Sequence, residues 1–125
     1  MQTLQQRYAQ QVYQKVKWVE QNWSSQQGKE YGTMALKLPV LVRQAGLVQA
    51  LTFVAARGKD SQKRLLDDLA GVLGFNSGDN LLQQARQAQL EDYMYLTRQV
   101  LWALEWFKRF AQAILKVEPT DETGS

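Results

Sequence analysis

The sequence predicts an all-α fold, a compact single-domain bundle of about five to six helices with a long C-terminal helix. Three observations carry that prediction. Apolar side chains recur at three- and four-residue spacing along most of the chain, which is the period of one helix face. Only two of the 125 residues are proline, and glycine is confined to punctuating places. No stretch alternates apolar and polar residues as a strand does, and no internal repeat is present.

The first helix is expected over Thr3 to Trp23. Leu4, Tyr8, Val12, Val16, Val19 and Trp23 form one stripe, with Arg7, Gln10, Gln14, Lys17 and Gln21 on the opposite face. Ser24 to Gly28 reads as a loop. The second helix spans Lys29 to Ala45 on the stripe Tyr31, Met34, Ala35, Leu38, Leu41, Val42 and Ala45. Pro39 should kink or split it, because proline has no amide hydrogen and its ring crowds the preceding turn. Gly46 is its stop. Leu47 to Arg57 is apolar on nearly every side and therefore belongs in the core.

Gly58 to Ser61 reads as a turn that ends in an N-cap serine. Helix Gln62 to Leu73 buries Leu65, Leu66, Leu69, Val72 and Leu73, and Gly74 to Asn80 is the next loop, with Ser77 or Asp79 as cap. Leu81 to Lys116 is helical with a break around Gln89 to Asp92. The expected domain is 1–116, and 117–125 is an acidic tail expected to fray.

The last helix has two apolar faces. Leu90, Tyr93, Met94, Val100, Leu101, Leu104, Phe107, Ala111 and Ile114 are expected to face the core. Roughly opposite lie Tyr95, Gln99, Trp102 and Trp106, flanked by Arg98 and Arg109. One reading makes this a central helix covered on both sides by its own domain. Another makes Tyr95, Trp102, Trp106 and Arg109 a partner interface, since Trp, Tyr and Arg anchor interfaces. A third is base stacking, which needs exposed rings beside phosphate-binding charge.

At 14.4 kDa the chain is sized for one domain. It contains neither histidine nor cysteine. That removes thiol nucleophiles, disulfides, Cys/His zinc sites and every Ser–His or Cys–His pair. An enzyme is therefore not expected, nor a cofactor, a metal or a small-molecule substrate. The polar N-terminus lacks the apolar core of a signal peptide, and the apolar runs are too short for a membrane span, so no membrane role and a cytoplasmic location are expected.

Charge is unevenly spread. The net charge is +3, but residues 1–66 hold ten Lys/Arg against three acids, whereas residues 67–116 hold five against six. The last nine residues carry Glu118, Asp121 and Glu122 with no base. A basic half points to a polyanionic partner, or else to a solvated surface that keeps the chain soluble. Lys15, Lys17, Lys37, Arg43, Arg57 and Lys59 have no acid four positions away on the same helix and form the candidate electrostatic footprint. Asp67, Asp68, Glu91 and Asp92 are the carboxylates a metal-dependent nuclease would need. Neighbours on a helix diverge by about 100°, so neither pair converges on one ion. Asp67 and Asp68 also lie four residues after Lys63 and Arg64, within ion-pair reach.

From Tyr31 to Phe53 the chain reads Tyr-Gly-Thr-Met-Ala-Leu-Lys-Leu-Pro-Val-Leu-Val-Arg-Gln-Ala-Gly-Leu-Val-Gln-Ala-Leu-Thr-Phe. This resembles the signature of the small helical subunit of type III-B (Cmr) CRISPR effector complexes: an aromatic residue, Ala-x-Lys-Leu-Pro, an apolar pair with a basic residue, Gly-Leu, then an aliphatic-to-Phe helix. The block Tyr93 to Phe110 is similar to that family's final helix, and the order of segments agrees. The resemblance implies an all-α, non-catalytic subunit in antiviral defence. Copies of it would stack as a minor filament along the guide and target RNA, beside the other subunits of the complex. It also implies that Lys37 and Arg43 are RNA-proximal, while Leu38, Pro39, Gly46, Leu47 and Phe53 are architectural. The alternatives kept beside it are a bundle that associates with itself without nucleic acid, and the metal-dependent nuclease.

Overall fold

The computed structural model describes residues 1–119. Six helices follow one another: α1 (Leu4–Asn22), α2 (Ser25–Ala45), α3 (Leu47–Arg57), α4 (Asp60–Val72), α5 (Gly78–Gln87) and α6 (Leu90–Ile114). No strand occurs among the described residues, and none of their helices is long and apolar enough to cross a membrane. α6 lies between α1 and α2, α2 packs also on α3 and α4, and α5 closes the far side against α3 and α4. The core runs continuously through all six helices.

Three local expectations are corrected. Ser24 to Gly28 is not a loop. The Ser24 hydroxyl accepts the Gln27 amide and the Gln27 side chain accepts the Ser24 amide, a reciprocal cap that starts α2 at Ser25. Pro39 does not split α2, which continues to Ala45 with the proline buried inside it. The turn after Gly58 ends at Lys59, which caps α4 with Gln62, and Ser61 is buried in the first turn instead of serving as the cap. The expected cap at Ser77 is present, and the break expected around Gln89 to Asp92 falls earlier, at Ala88 and Gln89, with Glu91 and Asp92 in the first turn of α6. Gly46 joins α2 to α3 at φ 94°, a backbone region that L side chains rarely occupy.

Periodicity assigns Leu90 and Met94 to the core, yet they are 72% and 53% exposed. The reason is rotational. The buried stripe of α6 is Leu96, Val100, Ala103, Leu104, Phe107 and Ala111. At about 100° per residue, Met94 stands roughly 120° around the helix from Val100 and Leu90 about 80°.

The expected tail starts differently. Val117 is buried at 2% exposure and lies over α2 at Gly32, where an added Cβ would stand 2.8 Å from Val117 Cγ1. Gly32 is the close-approach glycine that admits the chain after α6. Residues 120–125 of the expected tail lie outside the described residues.

Candidate nucleic-acid interface

The six candidate cations separate into two groups. Lys17 donates to Glu20 at 2.7 Å along α1. Lys59 donates to Glu30 at 3.0 Å, from the start of α4 to the first half of α2. Lys15 lies across α4, its Nζ 3.2 Å from the point where a Gly71 side chain would begin. Lys15, Lys37, Arg43 and Arg57 form no ion pair among the described residues. Arg43 is exposed near the end of α2. The Arg57 guanidinium rests 5.0 Å above the Phe53 ring, which positions the charge without using its hydrogen-bond donors.

Lys37 and Phe53 line one groove of about 370 Å³ between α2 and α3, with Thr33, Leu36, Val40, Leu41 and Pro119. Val40 is 47% exposed there. Thr33 is 3% exposed, and its Oγ1 is the one buried side-chain oxygen or nitrogen among the described residues that has no hydrogen-bond partner. The groove is thus apolar along most of its lining, with Lys37 at its edge, and the Thr33 hydroxyl oxygen is buried beneath its surface.

The Glu30 seam escaped the sequence reading. Ser61 Oγ donates to Glu30 Oε1 at 2.7 Å, while Lys59 and Gln26 donate to Oε2. These donors hold the Glu30 carboxyl below its ordinary range, Ser61 first and Lys59 second, against the opposing effect of burial. A long-range pair such as this has no sequence spacing to announce it. Thr33 and Gly32 gave no signal for the same reason.

The second polar seam was half legible. Arg64 Nε pairs with Asp68 Oδ1 at 3.0 Å, as the four-residue spacing implies. The other oxygen, Oδ2, accepts the Tyr31 hydroxyl at 2.6 Å, a link from α4 to α2 that no local spacing shows. Burial pushes the Asp68 carboxyl up, partly opposed by Tyr31 and Arg64. Burial pushes the Tyr31 phenol well up, and the neighbouring Asp68 adds to it. The Arg64 guanidinium also covers the Trp18 ring at 4.1 Å. Asp67 pairs otherwise than with Lys63: its Oδ1 accepts the amide of Gly78, the first residue of α5, at 2.7 Å. The negative charge sits where the helix dipole favours it.

On α6, α1 covers much of the second apolar face. Trp106 Nε1 donates to Gln5 at 2.8 Å, Trp106 stacks on Phe110 at 5.8 Å, and Phe110 meets Tyr13 edge-on at 5.5 Å. Trp102 is half-buried against the core. Arg109 lies 4.9 Å over the Trp106 ring and pairs with Glu105 at 3.5 Å. Tyr95 stays 50% exposed, and with Leu90 and Met94 it is among the large apolar side chains left open on the first two turns of α6. The structure therefore keeps Tyr95 at the surface, draws Trp102 and Trp106 largely into the fold, and adds two residues assigned to the core by periodicity.

Comparison with known proteins agrees with the signature blocks. Residues 4–114 match the sequence model of the family described as CRISPR-associated protein (Cas_Cmr5). The chain is 53% identical over 117 residues to the CRISPR system Cmr subunit Cmr5 of Thermus thermophilus, covering 93% of this chain and 99% of that protein. The crystal structure of a CRISPR-associated Cmr5 family protein from the same organism superposes with a TM-score of 0.84 at 51% identity, over 94% of this chain and all of that one. The match spans all six helices, both signature blocks included, and the chain belongs to the CRISPR-associated Cmr5 family.

Proposed function

We propose that this chain is a non-catalytic structural subunit of a cytoplasmic type III-B (Cmr) CRISPR ribonucleoprotein. Copies of it stack beside the other subunits as a minor filament along the guide and target RNA. Lys37 and Arg43 on α2 and Arg57 on α3 lie toward the RNA, and the open first turns of α6, with Tyr95, Leu90 and Met94, meet a neighbouring protein surface. One observation carries this reading. The fold absorbs Lys17, Lys59 and Arg64 into its own ion pairs yet leaves Lys37, Arg43 and Arg57, with Lys15 on α1, without one among the described residues. Cations left without an ion pair on α2 and α3 suit a phosphate backbone, whose counterions they release on contact.

The carboxylates that a nuclease would need are in structural use: Asp67 holds the start of α5, and Asp68 is shared by Tyr31 and Arg64. No three acidic residues gather at a metal-sized site among the described residues. The test is reconstitution of the effector complex with and without this chain. Omission is expected to change the stoichiometry of the remaining subunits and to weaken target-RNA binding. Normal stoichiometry with normal binding would overturn the proposal. Cleavage of RNA by the isolated chain with Mg²⁺, lost in a double Asp67→Ala, Asp68→Ala variant that keeps its helical signal, would also overturn it.

A further inference from the structure

The stretch from Tyr31 to Gly58, most of α2 and all of α3, contains Lys37, Arg43 and Arg57 and no acidic residue. Where the two helices meet, the groove of about 370 Å³ is walled by Leu36, Val40, Leu41 and Phe53. Lys37 is the one charged side chain in that lining, and the Thr33 hydroxyl oxygen lies buried beneath it. Val40 leaves 47% of its surface open there. Phe53, from α3, carries the Arg57 guanidinium on its ring, so ring and charge are presented together. An occupant suited to this site is apolar in body and anionic at its edge.

An acidic protein helix and a nucleotide both have that chemistry. A docked helix needs a row of pockets at three- and four-residue spacing. The groove is instead one cavity, and its volume lies near the low end of small-ligand sites, roughly 300–1,000 Å³. A nucleobase is flat, apolar on its faces and tied to a phosphate, and rings accept bases by stacking whatever their sequence. The nucleotide fits better.

We propose that the α2–α3 groove takes an unpaired base of the target RNA, its face against Phe53 and the aliphatic wall and its phosphate on Lys37. The proposal rests on the RNA-facing reading above and adds the base to it. The lining offers no array of donors and acceptors to a base edge, so the site accepts any of the four bases.

The chain has no cysteine, so Val40→Cys places a single thiol on the open wall of the groove. In the assembled complex, maleimide labelling of this chain, read by its mass, is expected to be fast before target RNA is added and several-fold slower after. A thiol that reacts equally fast with and without target overturns the proposal. A thiol already shielded before target is added also overturns it, because a protein segment or the guide then fills the groove. Target RNAs carrying iodouridine at successive positions are expected to crosslink on irradiation to Phe53, in the tryptic peptide from Gln44 to Arg57. Crosslinks only at other rings, such as Tyr13, Trp18 or Tyr95, or none on this chain, overturn the assignment to a base.

Phe53→Leu keeps the wall apolar and is expected to weaken target binding about fivefold at an unchanged log–log salt slope, because stacking releases no counterion. Unchanged affinity, or a loss with a changed slope, overturns the pocket. Charge reversal at Lys37, Arg43 and Arg57 judges the RNA-facing reading separately. If reversal weakens binding while the Val40→Cys thiol stays reactive, that reading stands and the base pocket alone falls. If reversal changes nothing, both fall.

Discussion

The first half of α2 and its second half both carry ionisable side chains and treat them in opposite ways. Glu30 and Tyr31 turn toward α4, where every polar atom finds a partner: Ser61, Lys59 and Gln26 on one carboxylate, Asp68 on the phenol. Two turns on from Glu30, Lys37 lines the groove toward α3 without an ion pair among the described residues. Buried polar groups normally pair, so a seam satisfied in full is part of the fold, whereas a rim left open is available to something else. Charge count does not distinguish the two. Lys59 and Lys37 look alike in the sequence, and only the long-range position of Glu30 separates them.

The largest expected contrast is in stability. Asp68→Ala leaves the Tyr31 hydroxyl and Arg64 unpaired in a buried seam and should cost about 3 kcal/mol, whereas Lys37→Ala should stay within about 0.5 kcal/mol. Urea unfolding of both variants checks this. Similar losses would break the division between structural and available charge. Gly32→Ala comes next. Its new Cβ would meet Val117 at 2.8 Å, and the overpacking should cost roughly 1–3 kcal/mol, read the same way. A neutral Gly32→Ala would mean that Val117 does not anchor the chain after α6.

The pH dependences are smaller and differ in sign. The Glu30 carboxyl is held below its ordinary value, so its stabilisation is present above the unfolded carboxylate range and lost as pH falls through the folded value. Glu30→Gln should flatten that acid limb. The Asp68 carboxyl is raised, so its contribution runs the other way: stability falls as pH rises from the unfolded carboxylate value through the folded one. Tyr31 ionises in the unfolded chain near pH 10 but resists doing so when folded, so stability should drop above about pH 10, and less so in Tyr31→Phe. Urea midpoints across pH, followed in each variant, measure all three.

Periodicity located every helix because each buries one stripe, and the stripe is a local property of sequence. Leu90 and Met94 show its limit. Both fit a three-to-four repeat, but the register of the buried face is decided by α1 and α2, which pack on α6, whose buried stripe runs from Leu96 to Ala111. The cap was legible at Ser77, whose hydroxyl accepts the Asn80 amide, and missed at Ser24, where Gln27 completes a reciprocal box. The candidate site was legible in part. Lys37, Arg43 and Arg57 were found by the absence of a local acid, and the same filter admitted Lys17, whose partner is three residues away, and Lys59, whose partner is on another helix. The role of Gly32 arises only when Val117 returns across α2, a contact between residues 85 positions apart, and the groove beside Thr33 is completed by Pro119 from the same returning segment.

The most direct measurement is the salt dependence of target-RNA binding by the assembled complex, comparing the parent chain with Lys37→Glu, Arg43→Glu, Arg57→Glu and with Lys17→Glu, Lys59→Glu. If the open cations meet phosphate, the first variant should bind more weakly and its log–log salt slope should fall by about two to three. The second should keep the parent slope. Equal slopes for the parent and the α2–α3 variant, or a larger loss from the Lys17 and Lys59 pair, would contradict the assignment of the α2–α3 face to RNA.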